Sequence, residues 1–172
     1  MNVWHPNSDK MKQLILMRHG KSSWDYDVSD NDRPLKQRGV NDAHLVSQTF
    51  GLHAPSIDFI YSSPANRALH TSMIFVRNLE FDLSKFRVNN MLYDFSGNSV
   101  QQFVQQLDND LNTVAIFGHN YAFTSLANTW GDQYIENVPT AGLVHITFGV
   151  DDWSKISGGT TKQMVFPKHL KK

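Results

Sequence analysis

Arg18, His19 and Gly20 follow directly on the apolar run 14–17, so a buried strand ends by delivering a guanidinium, an imidazole and a glycine together. A neutral imidazole is a competent nucleophile toward phosphorus near neutral pH. Its other ring nitrogen must donate a hydrogen bond to fix the tautomer, and a backbone carbonyl in a tight turn can accept it. Gly20 permits such a turn and lets the backbone come close to a bound anion. Arg18 supplies a fixed positive charge and a planar fork for phosphate oxygens. One arginine is a weak clamp, and Arg67 offers a second. His119, in the later stretch Gly118-His119-Asn120, could stabilise the charge that builds on a transferring phosphoryl group. Taken singly, each arginine could instead pair internally with Asp25, Asp32, Asp58 or Asp94, and a lone histidine is more often a structural residue. Burying both arginines without an anionic partner would be costly.

These residues need elements to position them. The periodicity predicts strands over 12–17, 57–61, 86–88, 113–117, 143–148 and 162–166. It predicts helices over 35–50, from 62–64 onward, over 100–107 and over 121–129. The first helix should bury Val40, Ala43, Ser47 and Phe50, with Gly51 as its stop. In the second, a serine of Ser62-Ser63-Pro64 should cap the helix and Pro64 should sit in its first turn. Ala65, Leu69, Met73 and Val76 would form its buried stripe. The stretches 21–34 and 89–98 read as loops. This alternation implies an α/β fold, a three-layer α/β/α sandwich with a largely parallel central sheet. Sites in such sheets form at the carboxyl ends of strands. Three strand ends carry polar signatures: 18–20, 62–64 and 118–120.

Composition narrows the classes. The 172 residues fit one domain over 11–172, with 1–10 a flexible extension and Met11 an alternative start. Sixteen basic and sixteen acidic residues balance, so no global field favours nucleic acid or an anionic membrane. There is no cysteine, which excludes disulfides, thiolate metal sites and a thiol nucleophile. None of the eight histidines forms the close His-x-x-x-His pair of a common zinc site. No apolar run approaches the ~20 residues of a membrane span. The first ten residues are too polar for a secretory signal, which leaves a cytoplasmic protein as the expectation. Trp4, Trp24, Trp130 and Trp153 could each belong to the core or to an interface.

The ordered set "RHGKSSWD", "DRPLKQRG", "SSPANRALHT", "LYDFS", "GHN", "PTAG" and "FPKHL" resembles the histidine phosphatase, or phosphoglycerate mutase-like, superfamily. Within it the set is most similar to SixA-type phosphohistidine phosphatases. The resemblance implies a phosphoglycerate mutase-like fold and a phosphatase that works through a phosphorylated His19. Arg18 and Arg67 would hold the phosphate and His119 would complete the pocket. Gly20, Ser22 and Arg33 would join the substrate-binding set. It implies no metal and no organic cofactor. Many superfamily members carry an asparagine where this chain has Asp25, so Asp25 is left out of the site. They also supply a mid-chain glutamate as general acid, for which Asp94 is the nearest candidate here, although an ordinary loop acid is its alternative.

A weak acid bears on the substrate. Cleaving a phosphoserine expels an alkoxide, which needs a proton, whereas cleaving a phosphohistidine expels imidazole, a far better leaving group. The chain also lacks room for the inserted caps of other superfamily branches, so the pocket should be open. The expected substrate is therefore phosphohistidine on a protein, such as a histidine phosphotransfer domain or a sugar-uptake carrier. Phosphate and other small anions would also enter the pocket. Lys21, Arg33, Lys36 and Arg38 could form a basic rim or merely a solvated loop. The alternatives are a small-molecule phosphomonoester phosphatase that uses Asp94, and a phosphoprotein-binding module without turnover.

Overall fold

The computed structural model describes residues 11–172; the extension expected over 1–10, with Trp4, lies outside the described residues. Six strands form one sheet: β1 (Lys12–Arg18), β2 (Phe59–Ser62), β3 (Phe86–Val88), β4 (Thr113–Gly118), β5 (Leu143–Phe148) and β6 (Thr160–Val165). The spatial order is β3-β2-β4-β1-β5-β6. The first four strands in that order pair in parallel, and β5 and β6 extend the sheet antiparallel. The helices are α1 (Gln37–Gly51), α2 (Asn66–Asn78), α3 (Asn98–Gln105), α4 (Ala122–Trp130) and α5 (Pro167–Leu170).

β1 and β4 are continuous apolar runs because both of their faces are covered. Ile15 and Met17 point to one face, where they pack with Ala43, Val46, Phe50 and Phe75 of α1 and α2. Leu14 and Leu16 point to the other, against residues of α3 and α4 such as Val100, Phe103 and Phe123. The two cores make the expected α/β/α sandwich. Trp130 and Trp153 are buried, and Trp24 is exposed.

Register decides the site. Arg18 pairs with Gly118 across β1 and β4, and Ser62 pairs with Phe117 across β2 and β4. The His19 amide then donates to the Gly118 carbonyl at 3.1 Å, and the Ser63 amide donates to the Phe117 carbonyl at 2.9 Å. All three polar strand ends thus finish side by side.

Two expectations need correction. The buried face of α2 is Arg67, Ala68, Thr71, Ser72, Ile74, Phe75 and Val76, while Leu69 and Met73 are only partly covered. A hydropathy pattern reads Arg67, Thr71 and Ser72 as outward, yet all three turn inward. Nor does a serine side chain cap α2: Ala65 occupies the N-cap position, and Pro64 lies before it and outside the first turn. α5 adds a four-residue helix after Phe166, with Pro167 in its first turn, too short to show in the periodicity.

Candidate active site

His19 sits one residue past β1 and is 8% exposed. Its Nδ1 lies 2.7 Å from the Gly20 carbonyl. A carbonyl only accepts, so Nδ1 carries the proton and Nε2 keeps its lone pair. Arg67 Nε donates to that Nε2 at 3.3 Å. Burial, reinforced by His119, Arg67 and Arg18 and only partly opposed by the Gly20 carbonyl, lowers the His19 pKa to about 3. The imidazole is therefore neutral at neutral pH.

Gly20 does more than allow a turn. A Cβ there would lie 2.6 Å from the Gly39 carbonyl oxygen, so the loop after β1 packs backbone to backbone on the start of α1. The Gly20 amide donates to Thr71 Oγ1 at 3.0 Å, not into the cleft, and Thr71 donates to the Arg67 carbonyl at 2.7 Å. Gly20 thus contributes its carbonyl to the site, while its amide is engaged by Thr71. Behind it, the 139–142 turn holds the strand end: the Ala141 amide donates to the His19 carbonyl at 2.9 Å and the Arg18 amide donates to Gly142 at 3.0 Å.

His119 is fully buried, and its ring centroid is 5.3 Å from that of His19. Its Nε2 is 2.8 Å from Ser63 Oγ, and its Nδ1 is 3.5 Å from Arg67 Nη2. Arg67 only donates, so Nδ1 is the acceptor and Nε2–H donates to Ser63. Burial and the charges of Arg67 and Arg18 lower this pKa to about 3 as well, against the pull of Asp30 and Asp94. The sequence reading missed Ser63 as a partner of His119, because a serine before Pro64 reads as a helix cap. Part of that signal was sound, since Ser63 Oγ also accepts the Ala65 amide at 3.2 Å.

Both arginines reach the cleft. Arg18 Nη1 donates to the Val138 carbonyl at 2.9 Å, while its buried Nε has no hydrogen-bond partner among the described residues. Arg67 is 2% exposed and meets none of the four acids considered for it. Its partner is Asp30, whose carbonyl accepts from Nη1 at 2.6 Å and whose Oδ2 accepts from Nη2 at 2.9 Å. Arg33 binds the other carboxylate oxygen at 3.1 Å, and Tyr93 donates its hydroxyl to Oδ2. Burial resists ionisation of Asp30, but the hydrogen bonds from Tyr93, Arg67 and Arg33 outweigh it and hold the carboxyl well below its usual range.

Ser22, Arg33 and Lys21 line the same cleft, of about 290 Å³. Its walls carry four basic side chains, Arg18, Lys21, Arg33 and Arg67, against the one carboxylate of Asp30. Ser22 Oγ accepts from Arg33 Nη2 at 2.6 Å, so part of its capacity is spent holding Arg33. Lys36, Arg38 and Asp25 are exposed and outside the cleft walls; Arg38 lies 3.6 Å from Asp42. Asp94 is also outside them. Its Oδ1 accepts from the Ser96 amide and hydroxyl, and its Oδ2 from the amides of Gly97 and Val100. Burial resists its ionisation too, but those hydrogen bonds prevail and its pKa is lowered. Among the described residues no group of three or more His, Asp or Glu is arranged to hold a metal ion, and no helix is long and apolar enough to cross a membrane.

Sheet order and strand-end cluster define a phosphoglycerate mutase-like α/β/α protein. Residues 14–92 match the histidine phosphatase superfamily (branch 1). An uncharacterized protein of Mycobacterium tuberculosis is 28% identical over 153 residues, 83% of this chain and 93% of that protein. The fold is similar to that of the protein histidine phosphatase SixA complexed with tungstate, with TM-score 0.78 and 24% identity over 92% of this chain and 99% of that one. It is similar to phosphoglycerate mutase from Bacillus anthracis, with TM-score 0.65 and 17% identity over 94% of this chain and 96% of that one. The family match thus spans residues 14–92, and the fold of the chain is similar to that of SixA.

Proposed function

We propose that the protein removes phosphoryl groups from phosphohistidine on a partner protein, through a phosphorylated His19. The observation that carries this reading is the fixed tautomer of His19: Nδ1 donates to Gly20, and an unprotonated Nε2 lies beside Arg67. In the first step the Nε2 lone pair attacks phosphorus. The bond from phosphorus to the substrate nitrogen breaks, and its electron pair stays on the departing imidazole. Arg18 and Arg67 hold the phosphoryl oxygens, and His119 faces the charge that accumulates on them. In the second step water attacks phosphorus. The P–N bond to His19 breaks, its electron pair returns to Nε2, and the water proton stays with the released phosphate.

Three features support phosphohistidine over a phosphomonoester. Asp94 already accepts four hydrogen bonds within its own loop, so it serves α3 and not proton delivery. Asp30 lines the cleft but is held ionised, and an ionised carboxyl has no proton to give. An imidazole protonated at its far nitrogen leaves without one. The unpartnered Arg18 Nε and the cationic walls suit an anion, in keeping with the tungstate that a SixA structure holds. Phosphotransfer domains and sugar-uptake carriers present such a group on an exposed side chain, which an uncapped cleft can reach.

The test is phosphate release from a phosphohistidine protein and from a phosphoserine peptide, with wild type and His19→Ala. The expected result is a strong preference for phosphohistidine that disappears in the variant while the fold persists. Comparable release from phosphoserine would mean a small-molecule or phosphomonoester enzyme with a competent acid. Retained turnover in folded His19→Ala would remove the nucleophile assignment.

A further inference from the structure

Trp24 is 74% exposed, although Trp130 and Trp153 are 2% and 0% exposed. One face of its indole is nevertheless closed, because the Arg33 guanidinium carbon lies 3.2 Å from the ring centroid. Arg33 is itself anchored at three points: Nε to the Ser23 carbonyl at 3.0 Å, Nη1 to Asp30 at 3.1 Å and Nη2 to Ser22 Oγ at 2.6 Å. With 7% exposure it has little freedom to move. A pinned planar cation behind an indole makes a shelf of fixed orientation. That shelf lines the same cleft as His19, Arg18 and Arg67. Such high exposure with one face occupied leaves the other face open.

A phosphate alone does not call for an open aromatic face. The rest of the cleft wall is mainly cationic and hydroxylic, which already serves the phosphoryl oxygens. Displacement at phosphorus keeps the attacking and leaving atoms roughly in line. With His19 Nε2 at the base, the leaving group faces away from it, toward the cleft mouth. Trp24 and the half-exposed Phe95, itself 5.0 Å from the His119 ring, belong to that cleft.

We propose that the open face of Trp24 is a stacking subsite for the leaving group, and that the ligand class it takes is an N-phosphorylated aromatic ring such as phosphoimidazole. This rests on the reading of His19 as nucleophile. A planar ring gains stacking contact there, whereas the alkyl chain of a phosphoserine or an ammonia leaving group does not. Trp24 is thus a specificity residue for the ring and leaves the phosphoryl oxygens to Arg18 and Arg67.

The experiment compares wild type, Trp24→Ala and Trp24→Phe on three substrates. These are phosphoimidazole, phosphoramidate with the same P–N bond and no ring, and a sugar phosphate. Trp24→Ala should lower kcat/KM on phosphoimidazole about five- to tenfold, mostly through KM, as befits a lost aromatic stack. Phosphoramidate should change less than about twofold on the same scale, and Trp24→Phe should recover most of the loss. Equal losses on both P–N substrates would mean that Trp24 only braces the loop. No loss on either would mean that the face is unused. A larger loss on the sugar phosphate would make the shelf a sugar subsite. Slower dephosphorylation of a phosphohistidine protein, assayed in parallel with the three small substrates, with phosphoimidazole unaffected would assign Trp24 to the partner's surface. Each of these results overturns the proposal. If wild type cleaved neither P–N substrate, the underlying reading of the site would fall, a failure distinct from the others.

Discussion

Replacing Ser63 with alanine should damage both stability and catalysis, and the two effects have one origin. Ser63 Oγ, in a residue with no exposed surface, accepts from His119 Nε2 at 2.8 Å and from the Ala65 amide at 3.2 Å. Alanine leaves both donors buried and unpaired, and each unsatisfied group costs about 1–3 kcal/mol. The longer bond counts for less, so the sum is about 3 kcal/mol. For a chain of this size that lowers Tm by roughly 6–12 °C. The kinetic effect follows from the hydroxyl's double nature. It accepts from His119 Nε2–H in the structure described, and by rotating it can donate to Nε2 when the ring proton moves to Nδ1 to face a phosphoryl oxygen. Alanine removes that exchange, so kcat should fall by about 100- to 1,000-fold, the scale of one lost transition-state donor. Thermal unfolding and single-turnover phosphate release measure the two effects. A His119→Phe background has no ring N–H to strand, and there the stability cost of Ser63→Ala should shrink by about 1 kcal/mol or more. A Ser63→Ala protein with unchanged Tm and kcat, or an equal cost in both backgrounds, would refute the reasoning.

Acid should destabilise the fold well above the carboxylate range. Burial lowers His19 and His119 to about 3, and burial with the charge of Lys162 lowers His145 to about 4, so the unfolded chain binds protons that the native state refuses. The stability these groups contribute is complete above the unfolded pKa of about 6.5 and declines as pH falls toward 3, by up to ~1.4 kcal/mol per pH unit for each imidazole. Tm should therefore drop steeply from pH 6.5 to 4.5 and less steeply in His119→Gln; a flat profile over that interval would contradict the burial argument. Asp94→Asn should cost about 1–2 kcal/mol, as loss of a helix cap does, in urea unfolding. Phosphohistidine turnover should stay near wild type in Asp94→Asn, and a collapse of kcat would restore Asp94 as an acid.

The strand ends were readable because β1 and β4 are so apolar that Arg18, His19, Gly118 and His119 stand out against them. The α/β/α layers followed from the same contrast between runs and loops. Asp30 was hidden for the opposite reason. The loop 21–34 holds Asp25, Asp27, Asp30 and Asp32, and nothing in their spacing says which one meets Arg67. A 3-10 turn at Asp30–Asp32 decides it, by directing both the carbonyl and the carboxylate of Asp30 to one guanidinium. The α2 stripe misleads because a helix that faces a polar cleft buries an arginine and hydroxyls where a helix that faces only core buries leucines. A sequence signal did exist there: Arg67, Thr71 and Ser72 recur at helical spacing.

The pairing of Arg18 with Gly118 bears on how the molecule acquires its chemistry during folding. His19 and His119 lie about a hundred residues apart in the chain and meet only when β1 docks beside β4. No local hairpin or helix can assemble the pair ahead of that long-range closure, which is the slow kind of contact. A one-residue slip between the two strands would carry the strand-end side chains to opposite faces of the sheet. If His19 is the nucleophile proposed, turnover returns only once that closure is made, and its recovery after dilution from denaturant would time the closure of the parallel sheet.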